Sequence, residues 1–444
     1  MENKKSESLM TAPFIALFFA AAVFFSLYGA NTSLWLDEAF SVWLCRDGFQ
    51  HIISGLKVDS NAPFYYFLLS IWMKFFGISE AALRSLSGVF YLACLPVIYA
   101  LGKMVYDRKT AFFATLFCMI SNILIYHAQN ARPYTLLVLL SALSTLLFFR
   151  VIINESGSKK HVYLYTLINT LGFLTHYWYF FIVFAQGLCF FLFRIKNNLK
   201  LFLFIIGTAL LPFLLWFPIF LNQLRGPSAS WIQRPGLGDL FQSYLGLWPF
   251  KIMLILILVF FIWVIKKGRQ CNPLTGNETF LKVRQRDFIL VILLIVPILS
   301  PFILSFFKPM FVVNRYTVIC LPAASLFAGR LMERTFQRKQ YLKIIAVILI
   351  MYSAISFYRG HRGNAAKYSD RSTAEALVSY AKNDDIIIFT SLSKTTIDYY
   401  LDRFGKSDVY QEFTFPAEID QHPGWLDIRK VNDRSYLLSL EPEA

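Results

Sequence analysis

Two adjacent carboxylates, Asp37 and Glu38, lie in Trp35-Leu36-Asp37-Glu38-Ala39, directly after the first apolar run of the chain. An ionised carboxylate costs about 2.5 to 3.5 kcal/mol at a bilayer centre on insertion scales and less near the interface, so acids at this depth need a partner or a chemical task. One task is to take the proton from an attacking hydroxyl as general base. Neighbouring helix positions point about 100° apart, so the two acids cannot serve the same atom. One is expected to be the base, and the other to orient the acceptor or the base. Further on, Asp59-Ser60-Asn61-Ala62-Pro63 is a polar turn. It either links two helices and nothing more, or brings Asp59 and Asn61 to the same cavity as Asp37.

Single arginines stand near three predicted span ends: Arg84, Arg132 in Ala131-Arg132-Pro133-Tyr134, and Arg315 in Asn314-Arg315-Tyr316. One such arginine reads as a snorkelling side chain. Several on a side otherwise depleted of basic residues suggest a bound anion, and a guanidinium fork matches phosphate oxygens. His127 and His176, the latter in Thr175-His176-Tyr177, lack metal-ligand spacing and read as interfacial hydrogen-bonding residues. Metal ligands are therefore not assigned, although a carboxylate pair is compatible with both a divalent-metal route and a metal-free one. The six cysteines show no CxxC spacing, which suggests neither a zinc site nor a disulfide framework.

The elements that must position these residues are membrane helices. The 444 residues are 57% hydrophobic, 18% aromatic and 16% charged, unlike a soluble domain. Apolar runs of about 20 residues recur, and we read about eleven: 11–30, 82–101, 110–127, 133–150, 162–176, 177–193, 201–221, 250–265, 287–307, 316–332 and 342–357. The net charge of +16 does not imply nucleic acid, because the basic residues collect in alternate loops, such as Lys103 to Lys109, Lys266 to Arg286 and Arg330 to Lys343. By the positive-inside rule these loops are cytoplasmic, which puts the N-terminus inside and the C-terminus outside.

The segment 31–81 is an outer loop with interfacial helices, one over 36–55 and one over 64–76 between Pro63 and Gly77, while Ser79 caps the following span. The loop 222–249 carries tryptophans that either stack on a sugar or sit in the aromatic belt. The first 357 residues form the membrane domain, and 358–444 a small extracytoplasmic α/β element with helices over 372–382 and 395–404 and strands over 386–390 and 436–440. No phosphate-cradling glycine motif occupies the loop after Lys266. An acid pair, arginines, aromatic walls and a groove between helices together suit transfer of a sugar from a lipid phosphate, whose leaving charge the arginines would stabilise.

Trp35-Leu36-Asp37-Glu38-Ala39, Asp59-x-x-x-Pro63-x-Tyr65-Tyr66, Ala82-Leu83-Arg84, Ala131-Arg132-Pro133-Tyr134, Thr175-His176-Tyr177 and Asn314-Arg315-Tyr316 together resemble the GT-C glycosyltransferases. Within them, the similarity is to the protein O-mannosyltransferase-like and lipid A aminoarabinose transferase-like branch, over about residues 10–360. The resemblance implies an all-α polytopic membrane fold, a polyprenyl-phosphate sugar donor and inverting transfer to a glycan, lipid or protein hydroxyl on the extracytoplasmic face of a bacterial or archaeal cell membrane. It makes Asp37 the base and Glu38 the supporting acid. Arg315 and Arg132 become donor-phosphate ligands, with Arg84 either joining them or bracing the loop. Asp59, Asn61, Tyr65, Tyr134, His176, Tyr177 and Tyr316 fall to substrate binding. Where many relatives carry His-Pro-Pro, this chain has Asn61-Ala62-Pro63, so the resemblance gives that turn no metal or proton-transfer role. The competing class is a flippase or exporter of polyprenyl-linked saccharides. That class calls for ionisable groups near the midplane, and the midspans here are nearly free of charge.

Overall fold

The computed structural model describes residues 12–193, 198–247, 278–335 and 349–355, and, towards the C-terminus, 358, 370–382, 385–407, 409–415, 417–420 and 422–425. Its first half runs α1 (Ala12–Leu27), α2 (Leu36–Arg46), α3 (Phe49–Leu56), α4 (Phe64–Phe76), α5 (Glu80–Val105), α6 (Arg108–Met119), α7 (Asn122–Ala128) and α8 (Tyr134–Phe148). Then follow α9 (Lys159–Thr175), α10 (Tyr179–Phe193), α11 (Leu199–Arg225), α12 (Leu237–Gly246), α13 (Glu278–Leu304) and α14 (Leu321–Thr335).

Among the described residues, Glu80–Val105, Tyr134–Ile153, Leu199–Arg225 and Gln285–Leu304 are each long and apolar enough to cross a bilayer. The expected span at 110–127 is instead two helices, α6 and α7, bent by 58°. The break falls at Ser121, whose extended backbone (φ −66°, ψ 114°) ends one helix and starts the next. The span at 250–265 lies outside the described residues, as does most of that at 342–357, whose described part, 349–355, is helical. The expected break between 162–176 and 177–193 stands at His176, where the backbone turns extended.

Local chemistry sets the ends of the interfacial helices. Gly48, at φ 85°, splits the stretch read as one helix over 36–55 into α2 and α3. Helix α4 occupies the expected residues between Pro63 and Gly77, and Ser79 Oγ accepts from Ala82 N at 3.3 Å to cap α5. Within the bundle, small residues let helices touch closely. A Cβ on Gly102 of α5 would lie 2.7 Å from Ala111 Cα, and one on Gly329 of α14 2.5 Å from the Thr110 carbonyl. Helices α8, α9 and α10 are joined by a buried polar network. Tyr165 donates to Gln186 Oε1 at 2.6 Å, Gln186 Nε2 to Ser144 Oγ at 3.0 Å, and Tyr179 to Asn169 Oδ1 at 3.2 Å. In hydrocarbon such bonds hold helices together because the groups have no water to turn to.

The C-terminal part is α15 (Asp370–Tyr380), β1 (Ile386–Phe389), α16 (Ser393–Arg403) and β2 (Gln411–Thr414). The strands pair in parallel with Ile386 opposite Gln411, and α16 supplies the crossover that parallel pairing requires. The two helices and the first strand lie within about two residues of expectation, while the expected strand at 436–440 lies outside the described residues. Strand β2 was not expected: its one large apolar residue, Phe413, is 55% exposed, so no hydrophobic alternation marks it.

Candidate active site

The first turn of α2 separates the two acids. Glu38 points into the protein and is fully buried. It takes the Arg84 fork through Nε at 2.8 Å and Nη2 at 2.6 Å, and accepts from Ala131 N at 2.9 Å and Trp35 N at 3.4 Å. The remaining Arg84 donors hold the Ala30 carbonyl at 2.9 Å and the Thr32 carbonyl at 2.8 Å. Arg84 is therefore consumed as a brace for the 30–34 segment and reaches neither cavity described below. Its candidacy as a donor-phosphate ligand gives way to the bracing alternative, and Glu38 is shut away from any substrate. Burial explains both: an isolated buried carboxylate is far costlier than a paired one.

Asp37, one position earlier, faces open space with 21% of its side chain exposed. Its Oδ2 receives Arg315 Nη2 in a short ion pair, and Arg132 Nη2 stands 3.9 Å away. Arg132 is 5% exposed and also reaches the Asp37 carbonyl at 3.3 Å and Asn61 Oδ1 at 3.4 Å. Asn61 Nδ2 in turn donates to Asp59 Oδ2 at 2.5 Å. The Asp59 turn thus does meet the Asp37 cavity. It is pinned from behind by Gln223 Nε2, which donates to the Asn61 carbonyl at 3.0 Å, and by Tyr177 OH at 3.3 Å.

Two cavities meet at this point. The larger, about 900 Å³, has an apolar wall including Ile123, Phe241, Leu245 and Val312 and runs to Trp35, Tyr134 and Arg315. The smaller, about 480 Å³, holds Asp37, Asp59, Asn61, Arg132 and Tyr316, and is also lined by Trp231, Ser391 and Trp425. Among the described residues, Arg315 alone lines both. Its guanidinium carbon lies over the rings of Trp35 at 5.4 Å, Trp231 at 5.7 Å and Tyr134 at 5.9 Å, a cage that holds a cation without neutralising it.

The other residues singled out from the sequence divide. Tyr134 and Tyr316 line one cavity each. His176 is packed between their rings, with centroids 5.9 and 4.9 Å away, and works as a wedge. Tyr65 is fully buried against Ser87 Oγ at 2.9 Å, and the half-buried Tyr177 is bonded to Trp216 and Gln223; both support the site from behind. Among the described residues no group of three or more His, Cys, Asp or Glu could hold a metal ion. Asp37 already faces two guanidinium groups, a setting opposed to a divalent cation.

Sequence reasoning missed a clamp from the C-terminal part. Glu80, 3% exposed at the start of α5, receives Arg371 and Arg403 in short ion pairs and the Tyr400 hydroxyl at 3.1 Å. Tyr400 OH also accepts from Leu34 N at 2.8 Å, and Arg371 donates to the Asn31 carbonyl at 2.9 Å. The irregular segment leading into Asp37 is held by Arg84 on one side and α15 and α16 on the other. Nothing local marks this: Glu80 follows a cap and reads as a first-turn acid.

The fold is shared with solved structures. ArnT from Cupriavidus metallidurans, bound to undecaprenyl phosphate, superposes with a TM-score of 0.58 at 13% identity over 90% of each chain. The Archaeoglobus fulgidus oligosaccharyltransferase complexed with zinc and sulfate gives 0.55 at 12% identity over 96% of this chain and 66% of that one. The oligosaccharyltransferase AglB from Archaeoglobus fulgidus, with an inhibitory peptide and a dolichol-phosphate, gives 0.51 at 11% identity over 96% of this chain and 68% of that one. The chain has the GT-C fold. Residues 60–219 match the family described as dolichyl-phosphate-mannose-protein mannosyltransferase, a stretch holding Arg84, Arg132 and Tyr134 but neither Asp37 nor Arg315. No curated protein sequence matches the chain. Within the GT-C fold, the Asp37–Arg315 pair stands where the two cavities join.

Proposed function

We propose that this protein is an integral-membrane inverting glycosyltransferase that moves a sugar from a polyprenyl-phosphate donor to an acceptor hydroxyl. The observation that carries the reading is Arg315, which lines both the larger cavity and the smaller one that holds the acids, while pairing with Asp37. A lipid phosphate in the larger cavity would bring its oxygens to Arg315, compete for the guanidinium and leave the Asp37 carboxylate able to accept a proton.

Asp37 takes the acceptor's hydroxyl proton as that oxygen attacks the anomeric carbon. The bond from that carbon to the phosphate oxygen breaks, and its electron pair leaves on the lipid phosphate, where Arg315 stabilises the growing charge. Attack opposite the leaving phosphate inverts the anomeric configuration. Arg132 holds the Asp59 turn and the Asp37 backbone, and Glu38 with Arg84 fixes the turn of helix that aims Asp37. The alternation of basic loops supports a site on the extracytoplasmic face of a cell membrane, with the N-terminus cytoplasmic and 358–444 as an extracytoplasmic domain. Related solved structures were obtained with undecaprenyl phosphate and with a dolichol-phosphate, which supports a lipid-phosphate donor.

The test is donor affinity. In nanodiscs, Arg315→Ala is expected to weaken undecaprenyl phosphate binding at least about tenfold, the size of one lost charge-assisted hydrogen bond. Unchanged affinity would return Arg315 to a structural role and remove the donor assignment.

A further inference from the structure

We infer that the smaller cavity takes a saccharide acceptor, and that the C-terminal turn His422-Pro423-Gly424-Trp425 reads it. This rests on the glycosyltransferase reading and adds the acceptor's chemical class. The turn is built onto α2, the helix that carries Asp37. A Cβ on Gly424 would lie 2.9 Å from the Phe40 ring, so only glycine lets the turn approach this closely. His422 packs with its ring centroid 5.2 Å from Phe40 and 5.0 Å from Trp425, which sets the indole against the cavity.

The chemistry of the lining selects among acceptors. A lipid tail needs apolar walls, which the larger cavity has. The smaller one also has apolar wall at Leu36, Phe40 and Leu392, and adds two carboxylates, an amide, hydroxyls and two indoles. Asp59 and Asn61, hydrogen-bonded side by side, offer paired oxygens and an amide to neighbouring hydroxyls on a sugar ring. Trp231 and Trp425 supply flat faces suited to the C–H face of that ring. The volume of about 480 Å³ is within the range of small-ligand sites.

The experiment is saturation-transfer NMR on the full-length protein in nanodiscs. The probes are methyl glycosides of common hexoses and N-acetylhexosamines, serine- and threonine-containing hexapeptides, and undecaprenyl phosphate. At least one glycoside is expected to bind, Trp425→Ala to weaken it at least about tenfold, and Trp425→Phe to recover part of the loss, as a stacking anchor should. Undecaprenyl phosphate affinity should be unchanged in both variants. Should Trp425→Ala fail to fold, Trp231→Ala carries the same test at the second indole on the lining. Binding of the peptides and not the glycosides, glycoside binding indifferent to both residues, or no glycoside binding at all overturns the inference. Loss of glycoside binding alone leaves the donor reading standing, whereas a wild-type protein that fails to bind undecaprenyl phosphate defeats the donor reading first.

Discussion

Substituting Arg84 tests the division of labour between the two acids. In Arg84→Met the side chain keeps much of its bulk but removes both bonds to Glu38, at 2.8 and 2.6 Å, and those to the Ala30 and Thr32 carbonyls. Glu38 stays behind, fully buried, with only the Ala131 and Trp35 amides. Breaking a buried pair from one side costs about 3 to 5 kcal/mol, because the surviving charge is uncompensated. Glu38→Gln strands Arg84 in the same way. In the double variant neither charge remains, so its loss should fall short of the sum of the singles by about 0.5 to 3 kcal/mol. The assay is denaturant or thermal unfolding of the four proteins in one detergent, followed by tryptophan fluorescence. Single-variant losses under about 1 kcal/mol, or strict additivity, would refute the account of Glu38 as a structural anchor and reopen a chemical role for it.

Glu80→Gln should weaken three contacts to the C-terminal part at once; with Arg371 and Arg403 each about one-third exposed, we expect a loss of about 1.5 to 3 kcal/mol, seen as faster limited proteolysis of α15 and α16. Gly329→Ala places a methyl 2.5 Å from the Thr110 carbonyl and 2.6 Å from Ala114 N, and overpacking of this kind costs about 1 to 3 kcal/mol, read as a lower unfolding midpoint. His422 is 4% exposed, and burial lowers its pKa against the opposing pull of Asp59. Its folded form therefore binds protons less readily than the unfolded chain. Stability is fully kept above the ordinary histidine value of about 6.5 and declines as pH falls below it, and His422→Phe should flatten that decline in unfolding measured across pH.

Local chemistry was legible in the sequence where the partners are local or where a pattern announces itself. The helix over 64–76 and the cap at Ser79 follow from proline, glycine, serine and apolar run length, and the break at His176 from the alternation of basic loops along the chain. The acid pair was visible for the same reason, and its angular spacing on a helix separated Asp37 from Glu38. What the sequence could not rank was the three arginines. All stand singly near span ends, yet Arg84 goes to Glu38, Arg132 to the Asp59 turn and Arg315 to the open carboxylate. That choice is made by tertiary packing. Glu80, Tyr400 and the turn at Trp425 were unreadable because their partners are hundreds of residues distant. Helix α12 escaped notice because two of its apolar residues, Leu237 and Phe241, are exposed and glycines stand near both its ends.

The central claim is that Asp37 moves the acceptor proton while Arg315 holds the donor phosphate. It is tested most directly by comparing turnover and donor affinity in Asp37→Asn, with lipid-linked glycan mass spectrometry of the host reporting what accumulates. Transfer should fall by about 10²- to 10⁴-fold, the usual worth of a general base, with undecaprenyl phosphate still bound and the unused lipid-linked sugar accumulating. Near-normal turnover in a folded Asp37→Asn protein would contradict it.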